Sequence, residues 1–104
     1  MKVYIAAPYT KGDIGQNVKN VIDCADQLCQ LGYTPYIPHL THFWHIVSPK
    51  PVSFWYQYDL IWLDFCDALL RLPGESSGAD KEVEYAKEHC IPVYYSVEEL
   101  NGVQ

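Results

Sequence analysis

Short apolar segments alternate along the chain with segments of helical period, and this alternation restricts the fold more than any other sequence feature. The predicted strands are Lys2–Ala7, Tyr33–Ile37, Asp67–Leu72 and Ile91–Tyr95. Helical segments separate them, so each connection is a crossover of the kind that joins parallel strands. The sequence therefore predicts an α/β fold, doubly wound and flavodoxin-like or Rossmann-like. We expect a largely parallel sheet of four to five strands with helices on both faces, in one domain over residues 1–104.

The first helix is predicted from four apolar residues at i, i+4, i+7 and i+11, followed by a glycine that ends the helix. These residues are Val18, Ile22, Ala25 and Cys29, with Gly32 after them. The second strand contains Pro35, which cannot donate a hydrogen bond to a neighbouring strand. This strand is therefore predicted at the sheet edge, beside the first strand.

The connection between the second and third strands is the longest in the chain. Its first part, Pro38–Pro51, holds three prolines and three histidines with little periodicity, and we interpret it as a long loop with room for a helical turn. The pattern of Ser53–Phe65 predicts a helix. Long loops in compact domains tend to carry function, so this segment is a candidate for a binding role.

The helix before the fourth strand has the clearest signals. Its apolar stripe is predicted to consist of Ala79, Val83, Ala86 and Cys90. Ser77 is the predicted cap, with Asp80 three residues later as an acidic variant of the capping box. The segment PGESSG also places Ser76, Ser77 and Gly78 at the helix N-terminus, where free N–H groups and the helix dipole favour an anion. Two interpretations stay open: helix capping alone, or a site for a phosphate or carboxylate.

Two carboxyl groups are candidates for catalysis. Glu82 lies about one turn into this helix, beside Val83 of the apolar stripe, so we expect it to point along the helix edge toward the strand ends. A partly buried carboxylate there can act as a nucleophile or general base; the alternative is an ordinary glutamate at a helix border. Asp59 lies among the aromatic residues of the Ser53–Phe65 helix. We expect that environment to raise its pKa and to let it transfer a proton.

Three histidines, His39, His42 and His45, recur every three residues and raise the question of a zinc site. On a helix, steps of three drift by about 60° per histidine, so the three rings do not converge, and no cysteine or carboxylate with ligand spacing follows. We predict no metal site. Together with Phe43 and Trp44, these histidines are interpreted as the wall of a pocket for a flat ring, or as a loop packed by its own aromatic residues.

Charge and composition argue against several partners. The chain has 7 Lys+Arg against 13 Asp+Glu, a formal charge of −6, and no basic cluster, so a nucleic-acid polymer is not expected as a partner. No segment approaches the roughly 20 apolar residues of a membrane span or has the pattern of a signal peptide. We therefore expect no membrane association and a cytoplasmic location.

The chain has four cysteines, Cys24, Cys29, Cys66 and Cys90. They form no CxxC pair, and we expect them to be buried free thiols.

The segments VYIAAPYT, GYTPYIPHL, DLIWLDFCDALL and SSGADKEVEYA together resemble the nucleoside 2-deoxyribosyltransferase superfamily, including its nucleotide N-glycosidase branch. The most specific match is Gly78 followed by EVEYA, and it implies that Glu82 is the nucleophile that attacks the anomeric carbon. Asp59, eight residues before Asp67, matches the family's second carboxylate. Tyr9 falls near an aromatic or polar residue that in the family steadies the nucleophile or the sugar. The resemblance covers nearly the whole chain and implies one domain of this type.

The chain departs from the family pattern at three places, and one of them, Ser76, indicates a phosphorylated substrate. Transferases tend to carry an Asp six residues before the nucleophile, whereas Ser76 stands there, as a Ser does in the branch that hydrolyses nucleoside 5′-monophosphates. The arginine-bearing loop of that branch is replaced by PYTKGD, which leaves Lys11 and backbone N–H groups to meet a phosphate. Transferases also complete a neighbouring subunit's site from their C-terminus, where only Asn101 has a suitable side chain. The expected substrate-binding residues are Ser76, Ser77, Gly78, Lys11 and His39.

The resemblance thus implies hydrolysis of the N-glycosidic bond of a (deoxy)ribonucleoside 5′-monophosphate, with Glu82, Asp59 and Tyr9 as catalytic residues and no cofactor. One alternative is an enzyme that transfers the 2-deoxyribosyl group between bases. A second is a non-catalytic nucleotide-binding or interaction module, and a metal-binding protein ranks last. We also expect a homodimer or higher homo-oligomer in contact through the Ser53–Phe65 helix. Nine tyrosines and three tryptophans leave aromatic area exposed on a small domain, and members of the resembled family pair around their sites.

Overall fold

The structure, a computed structural model, describes residues 1–102, and residues 103 and 104 of the predicted domain lie outside the described part. Its strands are β1 (Lys2–Ala6), β2 (Thr34–Tyr36), β3 (Ala68–Arg71) and β4 (Val93–Tyr94). Its helices are α1 (Ile14–Gln30), α2 (His42–Val47), α3 (Val52–Asp64), α4 (Ser77–Glu88) and α5 (Val97–Gly102). A 3₁₀ turn, Pro38–Thr41, precedes α2. None of these helices combines the length and the apolar character that crossing a membrane requires.

The four strands are parallel and lie in the order β2-β1-β3-β4. From β1 the chain passes through α1 to β2 on one side of β1, and then through α3 and α4 to β3 and β4 on the other side. Because these crossovers are right-handed, α1 covers one face of the sheet and α3 and α4 cover the opposite face. The predicted doubly wound α/β fold is therefore confirmed, as is the place of the proline-containing β2 at the edge beside β1. The order in which strands are added to the sheet reverses between β1 and β3, and the loops that follow these two strands meet there.

Side chains of the central strands alternate between two apolar cores. Val3 and Ile5 pack on the side of α1 and α5, whereas Tyr4 and Ala6 pack on the side of α3 and α4. Burial on both faces is typical of parallel strands, and it explains why β1 appears in the sequence as an uninterrupted apolar run. Tyr4 is fully buried, so its hydroxyl needs a hydrogen-bond partner on the α3–α4 side.

The buried face of α1 differs from the predicted stripe. The buried residues are Val21, Cys24, Ala25 and Leu28. Of the predicted stripe, Ala25 is buried, whereas Ile22 is 38% exposed and Cys29 is exposed. Apolar residues occur on two sides of α1, and the set at i, i+3, i+4 and i+7 that includes Leu28 is the one that meets the sheet.

All four cysteines are free thiols, as predicted, but they are not all buried. Cys24 is buried and Cys66 half-buried, whereas Cys29 and Cys90 are exposed. The prediction that Cys90 continues the apolar stripe of α4 is wrong, because the helix ends at Glu88 and Cys90 has a left-handed φ of 60°.

The segment Pro38–Pro51 is mostly helical rather than a long loop. The 3₁₀ turn and α2 occupy its first ten residues. A proline is compatible with the first turn of a helix, because the N–H it lacks would have no partner there. Trp44 of α2 packs edge-on against Trp55 and Tyr58 of α3, so aromatic contacts hold the segment to the rest of the domain.

Candidate active site

A glutamate and a tyrosine meet between α4 and the sheet. Glu82 is 9% exposed, and it faces inward together with the buried Ala79, Val83 and Ala86 of α4. The Tyr4 hydroxyl donates a hydrogen bond to Glu82 Oε2. β1 brings Tyr4 to this position because its side chain points to the α4 side of the sheet. The side chain of Glu82 is therefore held inside the protein, although a glutamate is ordinarily solvated.

Asp59 of α3 is the second carboxyl group on this side of the sheet. It is half-buried, and the Tyr36 hydroxyl donates to Asp59 Oδ1 over 3.3 Å. The rings of Tyr36 and Tyr4 stack with centroids 5.5 Å apart, because the two residues are partners in the β1–β2 register. On its other side, Tyr36 stacks on Trp62 at 5.7 Å. Two stacked tyrosines thus connect the two carboxyl groups.

Burial raises the pKa of both carboxyl groups to about 7. The pKa of Glu82 is also lowered by the hydrogen bond from Tyr4, raised by the charge of Asp59 and lowered by the charge of Arg71. Because ionising one group opposes ionising the other, the pair holds about one proton near neutral pH.

The two carboxyl groups differ in the partners that act on their pKa values. Glu82 has two partners that favour its charged form, Tyr4 and Arg71, whereas Asp59 has one long hydrogen bond, from Tyr36. Burial also raises the pKa of Tyr4 and Tyr36, so both tyrosines stay protonated and act as donors. An ionised carboxylate beside a protonated carboxylic acid can combine nucleophilic attack with general acid catalysis.

Arg71, the last residue of β3, is a buried cation on the same side of the sheet. Its guanidinium donates to the backbone carbonyls of Leu72 and Gly74 and, over 3.0 Å, to Asp80 Oδ1. These bonds fix the path of the chain from β3 into α4. In the sequence Arg71 is the polar end of an apolar strand, and nothing in the pattern distinguishes it from a solvated residue.

The loops after β1 and β3 touch at the carboxyl ends of these strands. Gly74 has a φ of +119°, and a Cβ at this position would lie 2.7 Å from Pro8 Cγ. In the same two loops, Lys11 Nζ and Glu75 Oε2 form an exposed ion pair at 3.8 Å. The loops thus bring Lys11 to the edge of the sheet where α4 begins.

Ser76, not Ser77, caps α4. Ser76 Oγ accepts a hydrogen bond from the Ala79 N–H at 3.1 Å, and its backbone is extended, with φ −161° and ψ 111°. The prediction of Ser77 as the cap is wrong by one residue, because a cap needs this extended conformation and Ser77 already belongs to the helix. Ser77 and Gly78 are exposed in the first turn, whose N–H groups have no partners within a helix.

Tyr9 and the histidines form a separate group. The Tyr9 hydroxyl is hydrogen-bonded to His42 Nδ1, and its ring meets that of His39 edge-on at 5.2 Å. His39 is buried; burial lowers its pKa, and its Nε2 donates to the Pro8 carbonyl at 2.8 Å. His45 Nδ1 accepts from an indole N–H of α3. Each histidine has its own partner, and within residues 1–102 no three His, Cys, Asp or Glu side chains are grouped to hold a metal ion.

The structure therefore brings some of the predicted residues together and separates others. Glu82 and Asp59 share one side of the sheet, connected by Tyr4 and Tyr36, two residues that the sequence analysis missed. Among the hydrogen bonds of residues 1–102, none joins Tyr9 to either carboxyl group. The sequence contains little to identify Tyr4 as a site residue, because a tyrosine within an apolar strand is compatible with any buried position.

Two surface depressions, of about 370 and 330 Å³, lie at the edge where the loops meet. The larger is lined by amide side chains of α1, among them Asn17 and Gln27, and the smaller by Arg71 and Tyr95. Neither is lined by the carboxyl pair, which lies on the α3–α4 side of the sheet.

Asn101, the C-terminal residue considered above for a neighbouring subunit's site, has a partner in its own chain. Its Oδ1 accepts a hydrogen bond from the Tyr33 hydroxyl at 2.9 Å.

Comparison with known proteins identifies a family and a related fold. A family model described as a domain of unknown function, DUF7768, matches residues 1–96. No curated protein matches the chain. The solved structure of a 2-deoxyribosyltransferase from the psychrotolerant bacterium Bacillus psychrosaccharolyticus is similar, with a TM-score of 0.69 and 20% sequence identity, over 89% of this chain and 69% of that chain. This likeness concerns the fold, and it confirms the fold implied by the resemblance to the nucleoside 2-deoxyribosyltransferase superfamily. The chain belongs to the DUF7768 family and has the fold of the 2-deoxyribosyltransferases.

Proposed function

We propose that the chain hydrolyses the N-glycosidic bond of a (deoxy)ribonucleoside 5′-monophosphate, with Glu82 as the nucleophile. The observation that carries the proposal is the buried pair of Glu82 and Asp59, whose pKa values both lie at about 7. A retaining glycosidase needs one ionised carboxylate and one protonated carboxylic acid at the same pH. A buried pair that titrates near neutral pH supports such a division, and we assign the ionised role to Glu82 and the protonated role to Asp59. The likeness to a 2-deoxyribosyltransferase fold supports an N-glycosidic bond as the bond that is cleaved.

In the first proposed step, the Glu82 carboxylate attacks C1′ of the sugar through an oxocarbenium-like transition state. A bond forms between a carboxylate oxygen and C1′ as the bond from C1′ to the base nitrogen breaks. The electron pair of the breaking bond stays on the base, and Asp59 donates its proton to the base. The products are a neutral base, a glycosyl ester on Glu82 and an ionised Asp59.

In the second proposed step, water resolves the ester. Asp59 removes a proton from the water as its oxygen bonds to C1′, and the electrons of the ester bond return to Glu82. This step releases the sugar 5′-phosphate and restores an ionised Glu82 and a protonated Asp59. The Tyr4 hydroxyl, which donates to Glu82 Oε2, stabilises the carboxylate as it leaves. Protons and electrons balance over the two steps without a cofactor.

The 5′-phosphate is proposed to bind at the start of α4. The exposed first turn, with Ser77 and Gly78, offers N–H groups that have no partners within the helix. Lys11 lies at the same edge in an exposed ion pair with Glu75, and in the proposed complex its ammonium group turns from Glu75 to the phosphate. Glu82 lies on the same helix, so one element holds the nucleophile and the phosphate site in a fixed relation.

The variant Ser76→Asp tests the phosphate site. Aspartate caps helices as well as serine does, so the fold should be retained while a negative charge is added beside the phosphate. We expect kcat/KM for the monophosphate to fall by about 10–100-fold relative to the nucleoside, the equivalent of losing one charge-assisted contact.

The matched control for this variant is Ser96→Asp. Ser96 Oγ accepts from the Glu99 N–H at 3.0 Å in the first turn of α5, so this substitution adds the same charge at another serine cap. The control should leave the ratio of monophosphate to nucleoside turnover unchanged. An unchanged ratio in Ser76→Asp as well would contradict the phosphate assignment.

Transfer of the sugar to a second base is the second candidate, because the solved structure that resembles this chain is a 2-deoxyribosyltransferase. The first step is then the same, and a base nitrogen replaces water in the second. Adding an isotopically labelled base separates the two reactions: hydrolysis gives sugar phosphate alone, whereas transfer gives a labelled nucleoside or nucleotide. Nucleotide binding without either product would favour a non-catalytic binding module.

A further inference from the structure

A depression of about 370 Å³ lies at the carboxyl ends of β1 and β3, on the α1–α5 side of the sheet. Ala7 and Leu72, the residues that follow these two strands, line it together with Cys24 and Val97. These four side chains belong to the core of the α1–α5 side or pack against it, whereas the carboxyl pair lies on the α3–α4 side. The sheet therefore separates this depression, which we call the α1 pocket, from the proposed active site.

The α1 pocket has an apolar floor and a polar rim. Ala7 and Cys24 are 9% and 8% exposed, so they form part of the floor. The rim consists of amide side chains of α1, Asn17, Asn20 and Gln27, which stand at i, i+3 and i+10 and so share one side of the helix. Sites for small molecules have this composition and volumes of about 300–1,000 Å³. In open parallel sheets they also occur at this position, where the strand order reverses.

Hydrogen bonds within the chain orient part of the rim and leave part of it available to a ligand. Asn17 Nδ2 donates to the carbonyls of Tyr9 and Lys11, at 2.8 Å each, so this amide is held in one orientation. Asn20 Oδ1 accepts a hydrogen bond within α1, which leaves its Nδ2 as a donor. Among the hydrogen bonds of residues 1–102, none involves the side-chain amide of Gln27. Gln27 therefore offers a donor and an acceptor side by side.

The charge of the rim argues against an anionic ligand. Asp23 also lines the α1 pocket, and it is the one charged residue among the described residues that do so. Its Oδ2 is paired with Lys19 Nζ at 2.6 Å, so the cation nearest to the rim already has a partner. A phosphate group would meet the Asp23 carboxylate in a chain with a formal charge of −6. The pocket therefore favours a neutral ligand.

We propose that the α1 pocket binds a free nucleobase, and that Gln27 recognises the edge of its ring. A nucleobase has flat apolar faces that suit the floor, and a glutamine amide pairs bidentately with an edge that carries a donor beside an acceptor, as in adenine. A sugar has hydroxyl groups on all sides and does not match an apolar floor. A nucleotide adds the phosphate that the rim disfavours.

This ligand differs from the one proposed for the active site. The active site is proposed to take a whole nucleoside 5′-monophosphate, whereas the α1 pocket, on the other side of the sheet, takes the base alone. The base released by the proposed hydrolysis is a ligand of this kind. Binding in the α1 pocket needs no catalysis, so its test does not depend on the proposed function.

Titration calorimetry of the full chain with adenine, cytosine and uracil tests the proposal. We expect at least one of these bases to bind with a dissociation constant below about 1 mM. Gln27→Leu removes the amide but keeps the size of the side chain and a good helix former, and it should weaken this binding at least ~10-fold. Gln30→Leu is the matched control: Gln30 is an exposed glutamine at the end of α1 that does not line the pocket, and its loss should leave the affinity unchanged.

The proposal is overturned if none of the three bases binds below about 1 mM, or if Gln27→Leu weakens binding no more than Gln30→Leu does. If Gln27→Leu does not fold, as judged by circular dichroism, alkylation of the wild type by iodoacetamide decides the question. A base in the α1 pocket should slow the alkylation of Cys24, which lines the pocket, relative to that of the exposed Cys29, with both followed by mass spectrometry. The same ratio of the two rates with and without the base would contradict the site.

Discussion

Tyr4 shows how one buried hydroxyl controls the charge of a neighbouring carboxyl group. The residue is fully buried in β1, and its hydroxyl donates to Glu82. Burial raises the pKa of Glu82 and this hydrogen bond lowers it, and with both effects the pKa is about 7. Without this donor the carboxylate would lose a partner that stabilises its charged form. Tyr4 is therefore a positioning residue: it acts on the proposed reaction through Glu82.

We predict that Tyr4→Phe moves the acidic limb of the pH profile of kcat/KM upward by about one unit and lowers kcat/KM at pH 7 by about fivefold. Phenylalanine keeps the ring that stacks on Tyr36 but removes the donor, so the pKa of Glu82 rises and less of it is ionised. Tyr33→Phe is the control, because its hydroxyl donates to Asn101, away from the pair. An acidic limb at the same pH in Tyr4→Phe and the wild type would contradict this role.

At the scale of elements, the site depends on the approach of two loops. The loops after β1 and β3 lie side by side because the strands themselves are neighbours, and Gly74 meets Pro8 where they touch. Arg71 fixes the second loop through its bonds to the Leu72 and Gly74 carbonyls. These contacts determine where α4 begins, and they therefore determine the position of Glu82 along the strands of the sheet.

We predict that Gly74→Ala destabilises the protein by about 1–3 kcal/mol, measured by urea denaturation. A side chain at this position has a strained φ of +119° and a Cβ 2.7 Å from Pro8 Cγ, so the two loops must separate. Gly78→Ala is the control: it lies in α4, a Cβ there meets nothing within 4 Å, and alanine favours the helix. Equal stability of the two variants would contradict the close approach of the loops.

The sequence predicted the elements better than the faces they bury. Apolar runs placed the four strands to within a few residues, and the stripe of α4 predicted the inward side that carries Glu82. The face of α1 was wrong because the helix has apolar residues on two sides, and periodicity alone does not say which side meets the sheet. Pro38–Pro51 folds as short helices because its aromatic residues pack on α3, a tertiary contact with no periodic signal.

At the scale of the whole molecule, the two sides of the sheet have different chemistry. The α1–α5 side is packed mainly by aliphatic residues, whereas the α3–α4 side holds the stacked tyrosines and the carboxyl pair. Burying an ionisable carboxyl group costs free energy whenever that group is charged. The stability of the whole domain therefore depends on the protonation of Glu82.

Between pH 4.5 and pH 8, we predict that the free energy of unfolding of the wild type decreases by about 2–3 kcal/mol more than that of Glu82→Gln does. The folded-state pKa of Glu82, about 7, lies above its ordinary value of 4.5, so the folded state retains the proton longer than the unfolded state does. This stabilisation is present below pH 4.5 and is lost as the pH rises through about 7. Urea denaturation at both pH values measures the difference.

The control for this measurement is Glu84→Gln, an exposed glutamate of the same helix, which should follow the wild type at both pH values. A parallel pH dependence of Glu82→Gln and the wild type would show that Glu82 is not held in a buried environment.

The most direct test of the central claim, that Glu82 is the nucleophile of an N-glycosidic cleavage, is the release of free base by the wild type and by Glu82→Gln. Glutamine fills the same space and still accepts from Tyr4, so the fold should be retained. The substrates are 2′-deoxyribonucleosides, ribonucleosides and their 5′-monophosphates, with free base measured by chromatography. We predict base release by the wild type and by Glu84→Gln, and a loss of at least ~10³-fold in Glu82→Gln. Base release by Glu82→Gln at the wild-type rate, or none by the wild type from any of these substrates, would contradict the account.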